Sequence, residues 1–387
     1  MERAHYLQEI ENAFNVHPVV AILGPRQCGK STLAQQYAKK RPTLTSNIFD
    51  LENPLHLAQL EENASFILNA QSGLVIIDEI QYLPNLFKLL RVIVDQDREK
   101  RKFLILGSAS RDLIHQSSET LAGRIQYIEL SPLSAIETQN TKELWNRGGF
   151  PLSFLAENDL FSSTWRNAYI KTYLERDIPN LGFKIPAKQL RRFWMMLSHY
   201  HGNIFNASEL GKSLGVAGTT IKRYLDILTG TFMVRELQPW FENINKRQVK
   251  SPKIYIRDSG IYHSLLGIDT NETLLQHPKL GASWEGFALE EIIKYHRAEP
   301  EDCYFWAIHN QCELDLLLII NGKRLGFECK FSDKPKRTPS MQQAMELLRL
   351  DQLTLISPGE HHYVLSENVT CSGLTHYLGL KISEQPF

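Results

Sequence analysis

Apolar residues along this chain fall into two recurring patterns. Continuous runs such as Val19-Val20-Ala21-Ile22-Leu23, Leu74-Val75-Ile76-Ile77 and Phe103-Leu104-Ile105-Leu106 predict strands buried on both faces, as in a parallel sheet. Further strands are predicted at residues 45–51 and 125–130. Between the runs, apolar positions recur every three or four residues. That spacing predicts helices at about residues 2–14, from Ser31 to Ala38, and from Leu51 through Leu68. Strand and helix alternate to about residue 135, which predicts an α/β domain built on a doubly wound parallel sheet.

The pattern then changes. Residues 136–183 read as a helical connector carrying Trp145, Phe150, Phe154, Phe161, Trp165, Tyr169 and Tyr173. Their spacing predicts core, packed against the first sheet, and not a platform for stacking bases. In residues 184–250 there are 11 Lys and Arg against four acids, Glu209, Asp226, Glu236 and Glu242. A short helix, Ala207 to Leu214, is followed by the turn Gly215-Val216-Ala217-Gly218 and a second helix from Thr219 to Leu228. This is a helix-turn-helix pattern with Thr219, Thr220, Lys222 and Arg223 facing outward. Strands around 233–237 and 255–257 would form a wing, so residues 184–260 read as a winged helix. Such a helix suits DNA phosphates, and it equally suits packing or protein contacts. Residues 261–387 read as helix, three strands, helix and strand, a second α/β domain.

Composition narrows the setting. With 387 residues, 43% hydrophobic and 22% charged, the chain has the makeup of a globular protein of two or three domains. Zero formal net charge removes any overall basic field, so a nucleic-acid partner must be inferred locally. Met1 to Leu7 contain no signal-peptide core, and the longest apolar run, Leu314 to Ile320, is interrupted by Asp315. No membrane segment is predicted. Cysteines 28, 303, 312, 329 and 371 form no C-x-x-C pair; free thiols in the cytoplasm are expected, and no zinc site. The histidines, among them His199, His201, His361 and His362, match no metal spacing and are expected on surface or loop.

Chemistry concentrates first at Gly24-Pro25-Arg26-Gln27-Cys28-Gly29-Lys30-Ser31, which fits G-x-x-x-x-G-K-[ST] between a buried strand and a helix N-terminus. Backbone N–H groups and the helix dipole favour phosphate there. Gly24 through Thr32 therefore form a candidate nucleotide site for ATP. Lys30 would reach the β- and γ-phosphates and Ser31 would ligate Mg²⁺. The strand ending in Asp78-Glu79 supplies a second Mg²⁺ ligand, Asp78, and a residue to polarise water, Glu79. Ser108, at the end of the next strand, is either a γ-phosphate sensor or a helix cap.

GPRQCGKSTL, LVIIDEIQYLP, LILGSAS and LAGRIQYIELSPLS, with GGFPLSFLA, YIKTYLERDI and SPKIYIRDSGI further on, resemble the bacterial and archaeal AAA-type ATPases that carry a conjoined C-terminal domain of uncharacterised function. The resemblance covers nearly the whole chain. It implies an ATPase in which Arg124 acts as an arginine finger across a subunit boundary, hence a homo-oligomer. From the sequence alone, Arg124 is an arginine in a short loop between helix and strand.

Near the C-terminus, alternation places Glu328 and Lys330 on one face of a strand, beside the strand that carries Asp315. With Glu285 in the preceding helix, this order resembles the PD-(D/E)XK nucleases. The resemblance implies Glu285, Asp315, Glu328 and Lys330 as the catalytic set. Asp315 and Glu328 would hold Mg²⁺, while Lys330 orients or activates water. Two functions are therefore expected: an ATPase that binds and cuts DNA, or a regulatory ATPase whose C-terminal half is a non-catalytic protein-interaction module.

Overall fold

In the computed structural model the apolar runs of the first third become five parallel strands. Residues 1–41, 46–97, 101–109, 121–242, 249–308, 312–332 and 335–380 are described. The chain divides into two units, Met1–Pro132 with Gly230–Phe232, and Leu133–Thr229 with Met233–Phe387.

In the first unit, β1 (Val19–Leu23), β2 (Ser46–Asp50), β3 (Gly73–Asp78), β4 (Arg101–Gly107) and β5 (Ile125–Glu129) lie in the order β2-β3-β4-β1-β5. The helices are α1 (Ala4–Val16), α2 (Lys30–Lys39), α3 (Pro54–Ala70) and α4 (Leu86–Gln96). Leu7, Ile10 and Phe14 of α1 and Leu33, Ala34 and Tyr37 of α2 cluster with Val20, Ile22, Leu74, Ile76, Leu104 and Leu106. The alternate residues Val19, Ala21, Val75, Ile77, Phe103 and Ile105 are equally buried. Both faces of the sheet are covered, so its strands read as unbroken apolar runs; each large side chain buried this way contributes about 1.5–3 kcal/mol.

The second unit contains α5 (Thr141–Arg147), α6 (Asp159–Thr172), α7 (Ala187–His199), α8 (Ala207–Leu214), α9 (Gly218–Gly230), α10 (Ser259–Leu266), α11 (Leu280–His296) and α12 (Pro339–Leu348), besides shorter turns. Its strands are β6 (Asn203–Ile204), β7 (Val234–Pro239), β8 (Lys253–Ile256), β9 (Cys303–Ile308), β10 (Cys312–Ile320), β11 (Lys323–Cys329), β12 (Gln352–Ser357), β13 (His362–Ser366) and β14 (Val369–Gly373). They form one mixed sheet, β13-β14-β12-β11-β10-β9-β7-β8-β6. β7 pairs with β8 in antiparallel register and with β9 in parallel, Gln238 opposite Tyr304. The sheet thus runs on across residue 260.

Three expectations need correction. The connector's buried aromatics belong to the second unit's own cores: Trp145 packs with Trp284 and Phe287, while Phe150, Tyr169 and Tyr173 join Phe193 and Trp194. An aromatic spacing fixes which residues are buried, not what they are buried against. The C-terminal end holds two more strands, β13 and β14, and a last helical turn at Leu374–Tyr377. They are short, and β13, at the sheet edge, is largely exposed, so neither period is clear in the sequence. Finally, His201 is not on the surface. It is 2% exposed, stacks on Tyr262 with ring centroids 4.0 Å apart, and accepts the Ile256 N–H at Nδ1. A Cβ on Gly286 would meet His201 Nε2 at 2.0 Å, so α11 can approach there only because Gly286 has no side chain.

Candidate functional site

The phosphate loop leaves β1 at Gly24, whose N–H is 3.2 Å from Gly107 O of β4. A Cβ there would lie 2.2 Å from Leu130 O, so the path is closed to any other residue. Gln27 and Gly29 have φ of 62° and 103°, and Gly29 caps α2; these turns leave the loop N–H groups ahead of a helix N-terminus. Lys30 is buried and its ammonium donates to Gly24 O and Pro25 O, both at 3.0 Å. Arg3, which sequence reasoning missed, braces the loop from below, donating to Cys28 O at 3.4 Å and Ser131 O at 2.8 Å. The Cys28 thiol is buried beside Leu130 O, and burial pushes its pKa up. Arg26 is ion-paired with Glu52, and Pro25 and Thr32 complete the loop on either side of the turn.

The carboxyl ends of β3 and β4 bring the remaining groups alongside. Ser31 Oγ donates to Asp78 Oδ2 at 2.5 Å, and Asp78 Oδ1 accepts the Glu79 N–H at 2.9 Å. Burial raises the Asp78 carboxyl above its usual range, against the pull of the Ser31 hydrogen bond. This hydroxyl–carboxylate pair fits Mg²⁺, which when bound beside the loop would neutralise phosphate charge. Glu79 sits at φ 55°, a left-handed backbone costly for a non-glycine residue. Gln81 Nε2 donates both to the Glu79 carboxylate and, at 2.9 Å, to Ser108 Oγ. Gln81 was missed by sequence reasoning; its only signal is standing two residues beyond Glu79. Arg124 is held by a two-bond pair with Asp95 at the end of α4, Nε to Oδ1 at 2.5 Å and Nη2 to Oδ2 at 2.9 Å.

In the second unit, α8 and α9 meet at a tight turn. A Cβ on Gly211 would be 2.7 Å from Val216 O, and Gly215 has φ 71°. Leu210, Ile221, Tyr224, Leu225 and Leu228 turn inward. Thr219, Lys222 and Arg223 are exposed and Thr220 is half-buried; Lys188, Arg191, Arg192 and Lys212 are exposed as well.

The four C-terminal residues gather at one end of the larger sheet. Leu316 is opposite Phe327, so Asp315 lies one step beyond, level with Glu328, where the β9–β10 register shifts. Asp315 Oδ2 accepts the Cys329 N–H at 2.9 Å, and Lys330, just past β11, reaches Glu328 Oε1 at 2.8 Å. Tyr255 donates to Glu285 Oε1 at 2.6 Å. Burial first, then the Asp315 charge, raises the pKa of both Glu285 and Glu328.

One more residue sits in this cluster. Lys253 Nζ is 3.5 Å from Glu285 Oε1, 3.8 Å from Asp315 Oδ1 and paired with Glu313. Burial opposes its charge, but Tyr255, Glu285, Asp315 and Glu313 more than offset this and raise its pKa. Among the described residues no group of three metal-ligating side chains is arranged to hold an ion. Glu328 Oε2 is buried without a hydrogen-bond partner, but one free oxygen does not make a coordination sphere. The expected Mg²⁺ would have to compete with the Lys253 ammonium for these oxygens.

Three stretches of the chain match known domain families. Residues 16–139 match the AAA domain; residues 138–272 and 280–377 match two domains of unknown function, DUF8612 and DUF4143. The Walker-type ATPase of Pyrococcus abyssi is 15% identical, with a TM-score of 0.44 over 68% of this chain and 95% of that one. A Thermotoga maritima RuvB variant is 18% identical, with a TM-score of 0.32 over 61% and 90%. All five cysteines are free and buried. No helix of the described residues is long and apolar enough to cross a membrane. Uncharacterised proteins of Mycobacterium bovis and Mycobacterium tuberculosis are each 46% identical over 371 residues, 95% of this chain and 83% of theirs. The chain belongs to the family of these mycobacterial proteins, and its first unit is an AAA-type P-loop ATPase domain.

Proposed function

We propose that ATP hydrolysis in the first unit is coupled to DNA engagement by the second. In this reading Lys30 and the loop N–H groups hold the phosphates, and Glu79 orients the attacking water. Ser108 contacts the γ-phosphate, and Arg124, freed from Asp95, completes a neighbouring subunit's site. The second unit's α7, α8, α9 and β6 to β8 act as a winged helix. The observation that carries the reading is the exposed cation set on that module, Lys188, Arg191, Arg192, Lys212, Lys222 and Arg223, on a chain with no net charge. Phosphate contacts of this kind give salt-dependent binding.

The test combines DNA retention across salt concentrations with phosphate release in plasmid, branched and single-stranded DNA. Retention that falls steeply with salt and weakens in Lys222→Glu/Arg223→Glu supports the reading. Salt-independent retention, or none, returns the module to packing or protein contacts and leaves a regulatory ATPase.

Mg²⁺-dependent cleavage is a second reading. Glu285, Asp315, Glu328 and Lys330 favour it by converging at one sheet end, while Lys253 stands against it. Products that need Mg²⁺ and vanish in Lys330→Ala would establish it.

A further inference from the structure

Lys253 opens strand β8 with its side chain 3% exposed, which is rare for lysine unless the charge is matched. Here three carboxylates face it. Glu285 comes from α11, Glu313 and Asp315 from β10, and each presents an oxygen to the one ammonium. Two residues along the same face of β8, Tyr255 fixes the Glu285 carboxylate by its own hydrogen bond. The Phe305 ring lies 5.6 Å from the ammonium and closes another side. On the far side Lys330 pairs with Glu328.

A divalent ion would need these same carboxylate oxygens. It would have to sit beside a buried positive charge, where like-charge repulsion is strong because little water screens it, or expel a side chain from a strand locked between β6 and β7. Asp315 has its other oxygen committed to the Cys329 N–H.

We propose that Lys253 is the resident cation of this acid cluster, taking the place a divalent ion holds in a metal-dependent nuclease. The ammonium ties β8 to α11 and β10 and offsets part of their negative charge. The cluster is then complete without metal, and the second unit works as a scaffold that engages its partner without cutting it. This inference does not depend on the ATPase reading.

The test titrates the nucleotide-free full chain with Mn²⁺, following bound ion by electron paramagnetic resonance and unfolding by calorimetry. Up to millimolar Mn²⁺, no binding that depends on Glu313 or Glu328 is expected, and the second unit should unfold at the same temperature in Mn²⁺ and in EDTA. Lys253→Met leaves the buried Asp315 and the largely buried Glu285 without their cation, so its unfolding temperature should fall by roughly 10 °C and recover in part with Mn²⁺. Mn²⁺ that binds wild type but not Glu313→Gln overturns the proposal. Glu313 is 46% exposed, so that variant keeps its fold and decides the matter even if Lys253→Met does not fold. Wild-type stability in Lys253→Met also overturns it.

Discussion

Lys30 and Glu79 belong to the same candidate nucleotide site, yet their loss should read differently. Lys30→Ala removes the charge proposed to meet the β- and γ-phosphates, so ATP affinity should fall. Glu79→Gln keeps the fold of the loop and the affinity, while phosphate release slows by about 10²-fold or more, the usual range for losing a group that handles the water proton. Equal turnover in wild type and Glu79→Gln would remove Glu79 from the mechanism. Gln81 bridges Glu79 and Ser108, a place suited to positioning them. Gln81→Ala should lower kcat roughly tenfold with ATP affinity unchanged, and Gln81→Glu, which would repel Glu79, should be worse. A change confined to ATP affinity would reassign Gln81 to binding. Arg124 is parked on Asp95 in its own chain, a partly exposed pair that is easily given up. If it serves a neighbour, Arg124→Ala mixed with Glu79→Gln should recover activity in mixed assemblies that neither variant has alone. Full activity of Arg124→Ala by itself would end that role.

At the scale of elements, β7, β8 and α11 are joined by a buried ionic knot. Glu290 is 2% exposed, Arg235 bonds it with two nitrogens, and Arg257 lies 3.5 Å away. Burial would raise its carboxyl, but Arg235 and Arg257 hold it down to about 2. A depressed carboxylate stabilises the fold above its unfolded value, near 4.3, and the contribution fades as pH falls towards 2. His201 and His263, which burial lowers to about 3, act in the same direction, because they must stay neutral when the unfolded histidines charge below about 6.5. Glu285 and Glu328, raised to about 7 and about 8, pull the other way as pH falls towards about 4.3. The two sets therefore offset each other in mild acid, and the net loss of stability should appear below about pH 4, as followed by denaturant unfolding. Arg235→Ala should cost about 3–5 kcal/mol at neutral pH, since it strands a buried charge. The helix-turn-helix gives a second element-level expectation. If Lys222 and Arg223 each neutralise one DNA phosphate, replacing either by Ala should lower the slope of log affinity against log salt by about 0.9. The unfolding midpoint should stay where it is, since neither side chain is buried.

For the molecule as a whole, Mg-ATP should stabilise through the first unit. At about 100 times its Kd, ligand adds about 2.7 kcal/mol, seen as a raised unfolding temperature that Lys30→Ala abolishes. The amino-acid sequence by itself determined the parallel sheet, because strands buried on both faces must be apolar without interruption. It determined the phosphate loop too, since Gly24, Gly29, Lys30 and Ser31 are adjacent in the chain and their chemistry is local. Its resemblance to the PD-(D/E)XK nucleases pointed to Glu285, Asp315, Glu328 and Lys330. What only the tertiary structure decided is which distant groups share a space. Gln81 meets Ser108 because β3 and β4 are neighbours in the sheet, and Arg3 reaches Ser131 across 128 positions. Nothing in the sequence singles out Lys253, which stands just beyond the basic stretch that ends at Lys250. Its strand is paired into the larger sheet through β7, so the folded chain delivers it to Glu285 and Asp315, 32 and 62 residues away by their numbering. No local period encodes that meeting, because strand order, and not strand pattern, sets it.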